Sequence, residues 1–393
     1  MNNTPLESIV IIGSGLAGYT LARELRKLDP HTSLVIFTAD DGAFYSKPLL
    51  SNALTAHKTA AALATADSAK MAQQLTAQVI THTTITRIDV AERCIYGDNF
   101  SLNYGALVLA LGAHQVIPTF AGNAADHIIS INSLGDYAQF RDRLSQARRI
   151  AIIGSGFIGC EFANDLVNGG YQVDVISRSG EPFDHLLPKE IGAHLRHALT
   201  HLGVTWHCNT TVETIDTEEK RYHLRLANGS QLQVDLALSA TGLKANTQLA
   251  AAAGITTNRG IVTNDLLETN VTNIYALGDC VELKGQVMPF VMPLMHQAKA
   301  LAKTLAGNAT TVVYPVMPLS VKTPVCPIAA VIPPPGTVGD WQVETTSPEG
   351  VRALFYTPDK IVSGFALSGE AVAEKNSLIK LVAATLPDAT AAS

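Results

Sequence analysis

One phosphate-binding turn occurs twice in this 393-residue chain, and that repeat limits what the chain can fold into. Ile9-Val-Ile-Ile-Gly13-Ser14-Gly15-Leu16-Ala17-Gly18 returns as Ile150-Ala-Ile-Ile-Gly154-Ser-Gly156-Phe157-Ile158-Gly159. Each copy is an apolar run followed by G-x-G-x-x-G. The runs read as strands buried on both faces of a parallel sheet. After the first copy, Ala17, Leu21, Leu25 and Leu28 share one helical face, Asp29-Pro30 ends the helix, and Leu34–Phe37 is the returning strand. After the second, Phe162 and Leu166 share a face, Asn168-Gly-Gly170 is a stop signal, and Val173–Ile176 returns. Both are therefore βαβ units.

The spacing has a chemical reason. The first glycine permits the tight turn, the second lets backbone approach a pyrophosphate, and the third lets helix pack on strand. The helix N-terminus then offers free N–H groups and partial positive charge to phosphates. Two correctly flanked copies predict two bound dinucleotides, a flavin and a nicotinamide nucleotide. Both lack the acid expected at the end of the second strand for a ribose hydroxyl. The first copy has Thr38-Ala39 there, with Asp40 and Asp41 just beyond; the second has Ser177-Arg178. Two roles stay open to Arg178: it meets a 2′-phosphate, or it stacks on adenine or lies in solvent.

Composition narrows the class. Only 16% of residues are charged and 47% are hydrophobic, so the chain builds large cores. The net charge of −6 argues against a general nucleic-acid binder. No apolar run approaches the ~20 residues of a membrane-spanning helix. Met1 to Ser8 is polar and lacks the order of a secretory signal, so the expected location is cytoplasmic. The five cysteines are scattered, without C-x-x-C or zinc-ligand spacing, which suits a reducing compartment; no metal site is expected.

Three further segments resemble the glutathione-reductase-like flavin-dependent pyridine nucleotide oxidoreductases. Leu107–Ala113 is similar to the stretch where the chain leaves the flavin domain. Ala240-Thr-Gly242-Leu-Lys-Ala-Asn246 is similar to the stretch where it returns. Thr269–Asp279 resembles the T-x₅-Y-A-x-G-D motif. The resemblance implies an α/β fold with two Rossmann-like dinucleotide-binding domains plus a small α+β C-terminal domain. The implied order is an FAD-binding domain over 1–115 and 244–320, an inserted NAD(P)H-binding domain over 116–243, and a C-terminal domain over 321–393. In the last, Val351–Tyr356 and Ile361–Leu367 read as a hairpin around Thr357–Lys360, and Ala371–Leu381 as a helix.

Phe44–Asn52 occupies the place where disulfide reductases of this class carry redox cysteines, and it holds none. Its Tyr45-Ser-Lys47-Pro-Leu-Leu-Ser-Asn52 form, like Val321-Lys322-Thr-Pro-Val-Cys-Pro327, resembles the rubredoxin reductases of bacterial alkane oxidation. The resemblance implies an oxidoreductase that takes electrons from NADH through FAD and passes them one at a time to rubredoxin. Ferredoxin reductases of oxygenase systems are the neighbouring reading, with the same fold and another acceptor. The resemblance further implies site residues. Gly13, Ser14, Gly15, Leu16, Ala17 and Gly18 would hold the FAD pyrophosphate, Thr38 and Ala39 the adenosine ribose, and Ile85 would lie beside the adenine. Asp279 would bond the ribityl chain, with Val291 by the isoalloxazine and Lys47 and Lys322 near the ring. Gly154, Gly156, Phe157, Ile158, Gly159, Ser177, Arg178 and Gly242 would serve the nicotinamide nucleotide, and Glu161 would face both rings. Lys47 and Glu161 are the residues expected to act in catalysis.

Overall fold

The computed structural model describes residues 8–219, 221–347 and 349–385; the polar stretch before Ser8 lies outside them. The described chain divides into two compact units. The first gathers the chain up to Lys47, Ala64–His114 and Leu243–Tyr314; the second gathers Pro48–Leu63, Gln115–Gly242 and the chain from Pro315 onward.

The first unit is built on a parallel sheet. Its strands run in the order Ile274–Ala276, Ala106–Leu109, Ile9–Ile12, Leu34–Phe37, Gln78–Ile80. All four residues of Ile9–Ile12 are buried, as a strand covered on both faces requires. The helix Leu16–Leu28 packs Leu21 and Leu25, both at 0% exposure, onto this sheet. Leu28, the last helical residue, lies on the same face but is 51% exposed, because the chain leaves the helix at Asp29 before another turn can cover it. On the core side the sheet shares one apolar cluster with the helix Val291–Leu305 through Leu294, Ala298 and Leu301.

The second unit repeats the design. Parallel strands Val204–His207, Gln172–Ile176, Arg149–Ile153 and Leu236–Ser239 lie side by side in that order. The helix Phe157–Asn168 follows the second glycine turn and ends as the sequence signals, with Gly170 at φ +87° donating to Val167 O. An antiparallel sheet of Val212–Glu218, Arg221–Leu226 and Gln231–Val234, without a signature in the motif pattern, sits beside it.

The C-terminal part of this unit is a five-stranded antiparallel sheet. Gly350–Tyr356 pairs with Val362–Gly369 as the expected hairpin, and Lys360 at φ +63° closes its turn. The expected helix over 371–381 needs correction. A 3₁₀ turn covers Glu370–Glu374, and the α-helix is Lys375–Thr385. The Lys375 N–H bonds Val372 O, the three-residue closure that tightens this first turn. Ala371, Leu378 and Val382 still share the buried face against Phe365 and Leu367.

Candidate functional site

In the first unit, each glycine of the turn answers to a separate steric demand. Gly13 has φ +115°, and a Cβ on it would lie 2.2 Å from Ala110 O. A Cβ on Gly18 would lie 2.0 Å from Gly13 O, which is the close helix–strand approach. A Cβ on Gly15 would meet nothing within 4 Å. Gly15 is therefore not glycine for protein packing; it keeps open the space in front of the helix. That helix begins with no side-chain cap and no acid in its first turn, so its N–H donors are left for a ligand. A pyrophosphate fits this cradle.

The neighbouring groups are ordered. Ser14 is 4% exposed and donates to Thr38 Oγ1 at 2.8 Å. Thr38 in turn donates to Asp40 at 2.5 Å, so the acid absent from the strand end arrives two residues later through a hydroxyl relay. Ala39 is exposed beside it, and Ile85 is buried in the apolar cluster. Gly278 sits at φ +79°, its N–H held by Gln297 Oε1 at 2.8 Å, and a Cβ on it would come 2.8 Å from Ala17 Cβ. This contact brings Asp279 to the cradle helix. Burial holds the Asp279 carboxyl above the ordinary carboxylate range, and the Lys47 charge opposes that. A partly buried carboxyl of this kind suits hydrogen bonding to hydroxyls. Leu16 and Lys47 are half-buried, and Val291 is 38% exposed at the start of its helix.

In the second unit the same three demands recur. Gly154 has φ +113° and its Cβ would lie 2.5 Å from Ala240 O; a Cβ on Gly159 would lie 2.1 Å from Gly154 O; one on Gly156 would meet nothing within 4 Å. This helix too is uncapped, with no acid in its first turn. Phe157 packs on Phe183, with ring centroids 4.9 Å apart, and Ile158 is 36% exposed. Ser177 is buried and bonded to Ser155 Oγ at 2.6 Å, whereas Arg178 is exposed. Gly242 has φ +119° and accepts from Val116 N.

Glu161 and Lys322 come together in this unit. Glu161, 6% exposed, receives Ser51 Oγ at 2.5 Å, Lys322 Nζ at 2.8 Å and Lys322 N at 2.9 Å. The Lys322 ammonium also donates to Ser51 Oγ at 3.0 Å and to Pro48 O. Its three hydrogens thus have three acceptors inside the unit. One turn further along the same helix, buried Asp165 accepts from Leu54 N, Thr55 N and Thr55 Oγ1. Sequence reading missed Ser51 and Asp165. The available signal was two acids four apart on a helix that is otherwise largely apolar. Buried acids need donors, and the donors lie on segment 48–55 and at Lys322, both far away in sequence.

Burial disfavours the thiolate at four of the five cysteines, Cys160, Cys208, Cys280 and Cys326. Cys160 and Cys280 are fully buried, and burial raises both thiols, Cys280 to about 12; Cys326 is raised to about 11. All five cysteines are free. Among the described residues no cluster of three or more His, Cys, Asp or Glu is placed to hold a metal. No helix among them is long and apolar enough to cross a membrane.

Residues 7–302 match the pyridine nucleotide-disulphide oxidoreductase family, and residues 311–382 match the rubredoxin binding C-terminal domain. The chain is 43% identical to a rubredoxin-NAD(+) reductase of Alcanivorax borkumensis over 97% of this chain and 100% of that protein. It is 43% identical to a rubredoxin-NAD(+) reductase of Acinetobacter baylyi over 97% and 99%. The ferredoxin reductase for the CYP199A2 system from Rhodopseudomonas palustris has the same fold, with a TM-score of 0.84 at 24% identity, covering 92% of this chain and 91% of that one.

Proposed function

Because the chain belongs to the pyridine nucleotide-disulphide oxidoreductase family, we infer that it is an NADH-dependent FAD reductase whose electron acceptor is a rubredoxin. The observation that carries the acceptor is the C-terminal module over 311–382, whose family is described as rubredoxin binding. FAD, when bound, takes a hydride from the nicotinamide and releases electrons singly to an iron–sulfur protein. The residues of the chain bind and orient.

Gly13, Gly15 and Gly18 shape the FAD cradle, where the amides after Gly15 meet the pyrophosphate and Ser14, Thr38 and Ala39 border the ribose. Ile85 lines the adenine side, Asp279 bonds the ribityl hydroxyls, Val291 covers an apolar ring face, and Lys47 supplies positive charge. Gly154, Gly156 and Gly159 shape the second cradle, with Phe157, Ile158, Ser177, Arg178 and Gly242 around the nicotinamide nucleotide. Glu161, held by Ser51 and by the Lys322 ammonium, would face both rings and act with Lys47 in catalysis, and Lys322 would lie near the flavin ring. Burial at Cys280 and Cys326 disfavours the thiolates that would intercept electrons. The support for these roles is the matched pair of open, uncapped cradles and the partly buried Asp279 beside the first.

The domain limits that accompany this reading are 1–115 and 244–320 for FAD, 116–243 for the nicotinamide nucleotide and 321–393 for the C-terminal module. The cell compartment is the cytoplasm, where five unpaired cysteines stay reduced. The final consumer is an alkane hydroxylase. The test is steady-state NADH oxidation with purified rubredoxin against a two-iron ferredoxin. Higher kcat/KM with rubredoxin is expected; a clear ferredoxin preference overturns the acceptor and favours an oxygenase ferredoxin reductase.

A further inference from the structure

We propose that the second cradle also accepts NADPH, with Arg178 receiving the ribose 2′-phosphate, an inference that rests on reading that cradle as the nicotinamide-nucleotide site. An acid at the end of the second strand of such a unit selects NADH, because its carboxylate accepts from the 2′-hydroxyl and repels a phosphate there. Here the strand Gln172–Ile176 runs into Ser177-Arg178-Ser179.

Ser177 does not replace the acid. Its side chain is 2% exposed, bonded to Ser155 Oγ at 2.6 Å, and accepts Ser179 N at 3.2 Å. It points into the fold. Its backbone is pinned on both sides, with its N–H on His207 O at 2.8 Å and its carbonyl accepting Thr210 N at 3.0 Å. Arg178 therefore leaves from a fixed peptide.

The two acids that flank Arg178 in the sequence are both engaged elsewhere. The acid before it, Asp174, is 1% exposed and bonded to Arg149 at 2.7 and 3.0 Å and to His207 at 2.9 Å. The acid after it, Glu181, has both oxygens on Arg196, at 2.7 and 2.8 Å. Beyond the two neighbouring strands the chain continues with Gly154-Ser155 and Cys208-Asn209, none of them acidic. Arg178 itself is exposed, and among the described residues no hydrogen bond or ion pair holds its guanidinium. A solvent-facing fork of N–H donors with no protein acceptor, at the position that reads the ribose, matches a phosphate in shape and charge.

The experiment measures kcat/KM for NADPH and NADH on the FAD-loaded full chain, and calorimetric binding of 2′,5′-ADP and 5′-AMP. The expected wild-type kcat/KM values for the two nucleotides lie within roughly tenfold of each other, and 2′,5′-ADP binds tighter than 5′-AMP. Arg178→Ala lowers the NADPH-to-NADH ratio on the order of tenfold or more, the loss of a charge-assisted contact, and abolishes the 2′,5′-ADP preference. Arg178→Lys keeps part of both. A wild-type ratio roughly a hundredfold in favour of NADH, or a ratio that Arg178→Ala does not move, overturns the proposal while leaving the NADH site intact. Reduction by neither nucleotide removes the reading of the cradle itself, and this proposal with it.

Discussion

The two glycine turns obey one steric rule, and the strand ends beside them follow two different ones. At the turn, Gly13, Gly15 and Gly18 and then Gly154, Gly156 and Gly159 meet the same obstacles at nearly the same distances. At the end of the second strand the copies part. The first runs a hydroxyl relay from Ser14 through Thr38 to Asp40; the second bonds Ser155 to buried Ser177 and leaves Arg178 in solvent. On the proposed reading a phosphate is gripped by backbone at a helix N-terminus, which is why both copies keep the same glycine spacing, whereas a sugar would be met by side chains, which is where the copies differ.

The sharpest way to break this pairing is to fill each cradle in turn. Gly15→Asp places a carboxylate where a Cβ now meets nothing, and the protein is expected to purify colourless, without flavin absorbance. Gly156→Asp fills the equivalent space in the other unit. It is expected to stay yellow while its KM for NADH rises on the order of a hundredfold, as a charge-assisted phosphate contact is replaced by repulsion. If Gly156→Asp loses its flavin as well, the cradles do not hold separate nucleotides.

A smaller effect separates structure from chemistry within the second unit. Ser51→Ala removes the hydroxyl that both Glu161 and Lys322 use, leaving the buried Glu161 carboxylate and the half-buried Lys322 ammonium one partner short. A loss of about 1–3 kcal/mol in chemical unfolding is expected. An unchanged denaturation midpoint would mean that Ser51 does not tie the pair together.

These contrasts also explain what the sequence made legible. The βαβ units were readable because each depends on contacts close in the chain: an apolar run, three glycines and a helix stop. The Gly278-Asp279 turn was readable only through its resemblance to the T-x₅-Y-A-x-G-D motif, since its approach to Ala17 joins distant parts of the chain. The Ser51–Glu161–Lys322 cluster was not, since its members come from positions brought together only by the tertiary fold. Leu28 shares the face that periodicity assigns it and is still exposed, because periodicity says which residues share a face and not how far the cover extends. The start of the last helix was misread because an i,i+3 closure at Val372 and an α-helical turn present the same apolar spacing over so short a run.

The smallest expected effect concerns thiols, and it sharpens the contrast with disulfide-using reductases. Burial raises Cys280 to about 12 and Cys326 to about 11, so the folded chain favours their neutral forms. That contribution to stability is complete below the ordinary thiol value of about 8.5 and is lost as pH rises from there through the raised values. Treatment with N-ethylmaleimide at pH 7.5 is therefore expected to leave rubredoxin reduction within about twofold of the untreated rate, the reactive thiolate being absent from these buried sites. Loss of activity in step with modification of Cys160, Cys280 or Cys326 would show a thiol in the electron path.

The central claim is that electrons pass from NADH through FAD to rubredoxin without a protein thiol between them. Anaerobic stopped-flow spectroscopy tests it directly: the protein is reduced with one equivalent of NADH and then mixed with oxidised rubredoxin. The account predicts bleaching of the flavin band, followed by its return in step with loss of the rubredoxin iron–thiolate absorbance, unaffected by prior alkylation. A flavin that bleaches but stays reduced in the presence of rubredoxin, or that bleaches only when thiols are free, would contradict it.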